Sequence, residues 1–114
     1  MAERRSDAVV GPARHESPLI DDLALATARE VDRLLAEARA RGLTRWAEYL
    51  EPLPDRLRDD DLRGVRAVAM RLRAAYGPKD SVRDVLPESL TEPVLDATDR
   101  LLRELNREAN RARG

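Results

Sequence analysis

Few side chains in this sequence are equipped for chemistry, and most of those stand where a reactive geometry is hard to hold. His15 is the single histidine. It belongs to a stretch, residues 1–17, in which Gly11, Pro12 and mixed charges show no periodicity, as in a flexible arm. A general base must be held within hydrogen-bond reach of the proton it takes, so His15 reads as solvated. Lys79, the one lysine, and Ser81 suggest nucleophilic chemistry. No ordered base, glycine-rich phosphate cradle or nucleophile elbow accompanies them, and the same residues suit a helix stop followed by an N-cap. The run Asp59-Asp60-Asp61 offers carboxylates to a cation such as Ca²⁺. It lacks the spaced ligand loop of an EF-hand, and helix capping with dipole complementation is the favoured reading. With no cysteine, thiolate metal sites and disulfides are excluded, and the reading fits a reducing cytoplasm. No catalytic, cofactor-binding or metal-ligating set emerges.

The other candidates are for recognition. Trp46 and Tyr49 stand on a short helical stretch, and exposed aromatics anchor interfaces. Trp46 shares a stripe with Leu43 and Leu50 and reads as core, whereas Tyr49 falls at the stripe's edge. Arg63, Arg66, Arg71 and Arg73 follow Asp61 with no acidic residue among them. Formal net charge is −1 over 114 residues, so the whole chain lacks the electrostatic footprint of a nucleic-acid binder. The arginines near the C-terminus are interleaved with Asp99, Glu104 and Glu108, as on a solvated face.

All of these must be positioned by helices. β-branched residues are few, and three aromatic residues, with no Phe, leave Leu, Val and Ala to build one core. A first helix is expected from Ser17, with Pro18 at its first position and Asp21 and Asp22 near its positive end. Its stripe is Ile20, Leu23, Thr27, Val31, Leu34 and Ala38, widened by Ala24, Ala28 and Leu35, and Gly42 suits the position just past its end. A short second helix starts at Thr44 and is interrupted by Pro52 and Pro54, beyond which one further turn brings in Leu57. The third helix, Leu62 to Tyr76, follows the aspartates and ends at Gly77-Pro78. Its main stripe is Leu62, Val65, Val68, Ala69, Leu72 and Tyr76; Ala67, Met70 and Ala74 form a second stripe on another side. A helix apolar on two sides is central or covered by a partner. Residues 77–90 connect, with a turn around Val82–Leu86 capped by Asp80 or Ser81. The fourth helix is expected from Ser89 or Thr91, where Ser89 and Glu92 match a capping box. Val94, Leu95, Thr98, Leu101, Leu102, Leu105 and Ala109 form its stripe, and the polar end from Asn106 should fray.

One segment resembles a family of small uncharacterised bacterial helical proteins. The resemblance spans roughly residues 31–90. It rests on Trp46, Ala47 and Leu50 ahead of a helix, then Tyr76, Gly77, Ser81, Val82 (similar only) and Asp84 in the turn after it. The family's turn has Gly, Met, Gly and Asn where this chain has Pro78, Lys79, Asp80 and Arg83. The resemblance implies a shared helical fold unit rather than an activity.

The expectation is an all-α fold: a compact bundle of about four helices at 18–112 behind a flexible arm at 1–17. No stretch reaches the roughly 20 apolar residues of a membrane span, and no signal peptide is visible. The leading function is non-catalytic protein–protein contact, as in adaptors or immunity proteins, or self-association, in the cytoplasm and without cofactors. Its candidate contact residues are Tyr49, Arg63, Ala67, Met70, Ala74 and Lys79. The alternative is a DNA-binding or regulatory domain using the Arg-rich third helix.

Overall fold

The first helix forms where its apolar stripe begins and stops where glycine permits. The computed structural model describes residues 14–113, with His15 described by its backbone only. Helix α1 spans Pro18–Ala40. Gly42 adopts φ +68° just beyond it. The Gly42 N–H donates to the Arg39 carbonyl and the Leu43 N–H to Ala38 at 2.9 Å, the paired bonds of a Schellman ending. Ser17 occupies the N-cap position, but its hydroxyl makes no capping bond and is buried without a partner. The cap expected of Ser17 is therefore not made, and a 3₁₀ turn, Arg14–Glu16, leads into the helix.

The expected second helix is two short ones, α2 Thr44–Leu50 and α3 Leu53–Asp59, divided at Pro52. Helix α4 spans Leu62–Ala74; a 3₁₀ turn at Val82–Asp84 follows, then α5, Glu88–Arg113. The described residues are all-helical and without strand. α1 packs on α5, α5 on α4, α4 on α3, and α3 back on α1, so four helices close a ring around one core. α2 leans on α1 outside that ring. The 26-residue α5, about 39 Å long at 1.5 Å per residue, sets the longest dimension of 45 Å.

The core is the stripes turned inward. Val31, Leu34, Leu50, Leu57, Val65, Val68, Leu72, Val94 and Leu101 are all buried, with Ala24, Ala28, Ala38 and Ala69 between the larger side chains. Tyr76 is the one aromatic in this buried core; Trp46 and Tyr49 pack against it from the edge.

Two termini differ from expectation. The capping box at Ser89 and Glu92 does not form: α5 begins at Glu88, and Glu92 is held in a two-point pair with Arg83 at 2.8 and 2.7 Å. Ser89 thus lies inside the first turn of α5 and not at its N-cap, so the box has no place to close. The C-terminal end continues as helix to Arg113, supported by Arg107–Glu104, Arg111–Glu108 and Arg113–Asn110 contacts one turn apart.

The expected arm divides. Residues 1–13 lie outside the described residues. Arg14 belongs to the body: its Nε pairs with Asp21 at 2.6 Å and its Nη1 donates to the Asp60 carbonyl at 2.9 Å.

The aspartate run works as a joint. Asp61 caps α4 by accepting the Gly64 N–H at 2.9 Å, and Asp60 pairs with Arg56 at 3.0 Å. Gly64 sits against Asp60, whose Cβ would lie 2.6 Å from a Cβ at position 64. In an open helix Gly→Ala stabilises by about 1 kcal/mol. Here the sign reverses, because Asp60 is held by Arg56 and Arg14. Gly64→Ala is expected to destabilise by about 1–3 kcal/mol, read by urea melts. An alanine variant as stable as the parent would show that Asp60 moves freely.

Candidate protein-interaction face

The two stripes of α4 meet opposite fates. At 100° per residue, Arg63, Ala67, Met70 and Ala74 fall within an arc of about 60°. That arc lies opposite Val65, Val68, Ala69 and Leu72, which are buried against α3 and α5. All four outer residues are exposed. Met70, 56% exposed, is the most exposed large apolar side chain among the described residues.

Cations flank this seam. On one edge stands Arg71, on the other Arg66 and Arg73. Arg73 pairs with Asp99 of α5 at 3.2 Å, and Arg66 donates to the neutral Asn106 side chain at 2.9 Å. Arg71 lies over the Tyr49 ring, 4.2 Å from its centroid, a cation–π contact that leaves the charge uncancelled. Arg63 is exposed and pairs with no carboxylate among the described residues. Three of the four guanidiniums on this helix therefore keep their charge available.

Tyr49 is tied down as well as placed at the edge of the face. Its hydroxyl donates to the Arg71 carbonyl at 2.6 Å, and Trp46 packs edge-on to its ring at 5.4 Å. The short helix α2 is thereby docked to the last turn of α4, with Tyr49 half-buried. Of the expected contact residues, Tyr49, Arg63, Ala67, Met70 and Ala74 share this region. Lys79 does not join them: it is exposed in the turn between α4 and Ser81, with no hydrogen bond or ion pair among the described residues.

That turn is structural. Ser81 caps the 3₁₀ turn by accepting the Arg83 N–H, and Asp84 reaches back to the Ser81 N–H at 3.2 Å, a reciprocal capping box. Asp80 takes φ 53°, a conformation Asp tolerates. Tyr76 donates its hydroxyl to the Thr91 carbonyl at 2.6 Å, and Arg83 stacks 5.4 Å from its ring centroid. The residues carrying the family resemblance (Tyr76, Ser81, Val82 and Asp84) thus close the link between α4 and α5. Ser81 is buried with its hydroxyl engaged, which removes it as a free nucleophile.

Sequence reasoning overlooked several hollows. One, of about 510 Å³, lies at the α1–α2 joint and is lined by Arg39, Leu43, Ala47, Glu48 and Glu51. Another, of about 250 Å³, lies between Leu19 and Leu23 of α1 and Arg100, Arg103 and Arg107 of α5, and a third, of about 310 Å³, is lined by Arg83, Glu88, Thr91 and Glu92. Leu19 falls outside every stripe, so its exposure was the available signal. None of these hollows gathers two of the titratable side chains Tyr49, Tyr76, Lys79, Asp80 and Asp84, as an acid–base site built from them would require. Among the described residues no cluster of His, Asp or Glu is arranged to hold a metal ion, and no helix is long and apolar enough to cross a membrane.

No family model, curated protein or solved structure matches the chain. The α4 face stands on its geometry.

Proposed function

We propose that this protein acts without catalysis, by binding another protein on the outer face of α4, as an adaptor or immunity-like protein of the bacterial cytoplasm. The observation that carries the reading is Met70: a large apolar side chain more than half exposed between Ala67 and Ala74, on the side of α4 away from the core. Apolar seams rimmed by polar groups mark interaction sites on soluble proteins.

Affinity capture from the native host with the parent and with Met70→Glu tests it. Proteins retained by the parent and lost with the variant are expected, at unchanged melting temperature, because position 70 faces solvent. Identical sets of retained proteins would sink the reading.

DNA binding through the same helix is the second reading, favoured by the uncancelled charge of Arg63, Arg66 and Arg71. Against it, Ala67, Met70 and Ala74 occupy the centre of the face and offer no hydrogen bonds to base edges. Duplex binding that weakens steeply with salt would support it.

A further inference from the structure

We infer that the occupant of the α4 face is an acidic amphipathic helix of a different protein, lying along Ala67, Met70 and Ala74 with its carboxylates against Arg63, Arg66 and Arg71. The inference rests on the reading of this face as protein-binding and adds the chemistry of the partner.

Shape gives the first support. The seam runs small–large–small at steps of three and four residues, so Met70 stands as a ridge with a low shoulder on each side. A partner helix bearing apolar residues at the same spacing straddles such a ridge. From Arg63 to Ala74 the seam is about 16 Å long, three turns of helix. An extended partner would add to an open strand edge or lie in an aromatic-lined groove; the described residues contain no strand, and the seam of Ala67, Met70 and Ala74 carries no aromatic side chain.

Charge selects among helices. From Leu62 to Pro78 the chain has no Asp or Glu. Arg63, Arg66 and Arg71 have no carboxylate partner among the described residues, and Asp99 answers Arg73 alone. Cations therefore border the apolar seam on both sides, and the complementary ligand is acidic on both flanks. A second copy of this chain is a poor occupant. A two-fold contact through α4 would set arginines against arginines. One three-turn helix face also falls short of the roughly 800 Å² per partner typical of stable complexes. A short, charge-guided contact suits a transient partner whose affinity depends on salt.

The test is selection of displayed random helical peptides on the full-length protein. Enriched peptides are expected to carry Asp or Glu flanking apolar residues spaced three and four apart. Their binding should weaken at least about tenfold with Met70→Glu and fall by a similar factor between about 0.05 and 0.5 M salt as the Debye length shrinks. Arg63→Glu with Arg66→Glu should shift selection toward basic peptides. Both substitutions are at solvent-facing or half-exposed positions, and circular-dichroism melts verify that the fold survives. Peptides that depend on Met70 but are neutral or basic would overturn the acidic partner while leaving a protein-binding face. Binders indifferent to Met70→Glu, or no binders, would overturn both. A concentration-dependent dimer abolished by Met70→Glu, or tighter binding to a 20-base-pair duplex than to any selected peptide, would also overturn the inference.

Discussion

Leu101→Ala is expected to lower the stability of the fold by about 2–5 kcal/mol. Leu101 is fully buried on α5, the helix that packs on both α1 and α4. Truncation removes apolar contact and leaves a cavity in the core that the surrounding side chains fill only in part. For a domain near 100 residues each kcal/mol moves the midpoint by about 4–8 °C, so a fall of roughly 10 °C or more is expected in a thermal melt. Against a total stability of about 5–15 kcal/mol, the loss is a large fraction. Met70→Ala, at the exposed seam, should change stability by less than about 0.5 kcal/mol. Similar losses for the two would mean that α5 does not close the core and α4 is not facing outward.

The second large effect falls on Tyr76. Tyr76→Phe keeps the ring and removes the hydroxyl that donates to the Thr91 carbonyl at 2.6 Å. The bond is buried and joins the end of α4 to the first turn of α5, so its removal is expected to cost about 1–2 kcal/mol. The substitution also changes the response to alkali. Burial, chiefly, disfavours the phenolate and pushes the Tyr76 hydroxyl well above its ordinary range; the negative charge of Glu92 adds to this and Arg83 opposes it. The group's folded pKa exceeds its unfolded value of about 10. Its contribution is therefore fully present below pH of about 10 and is lost as pH rises toward the raised folded value. Denaturant melts on the parent across that range should show a decline that the Phe variant lacks in part. Equal pH profiles would show that the Tyr76 hydroxyl ionises in the folded state as freely as in water.

Much of the fold was legible because helices are specified locally. The stripe of α1 and the glycine at its end appear as read, since a 3.6-residue period and one φ > 0 position are properties of a short segment. The turn after α4, with Ser81 as its cap, was readable for the same reason. What failed were the ends of elements, where particular side-chain contacts, local or distant, decide. Ser89 and Glu92 spell a capping box, yet α5 starts before Ser89, at Glu88, and Glu92 pairs with Arg83. Asn106–Arg113 looks too polar to persist, yet one-turn ion pairs sustain it. Residues 14–17 look like arm, yet Arg14 reaches across to Asp21 and Asp60.

The candidate site was half legible. Met70 and its small neighbours announced a second stripe on α4, and the arginines around them were plain in the sequence. By itself the sequence determined that α4 has two apolar sides, cations between them and no acid to neutralise them. The tertiary structure decided which side became core. α3 and α5 cover Val65, Val68, Ala69 and Leu72, the bulkier stripe, because burying it removes more apolar area from water. No further helix remains among the described residues to cover Ala67, Met70 and Ala74, and that leaves the narrower stripe facing solvent.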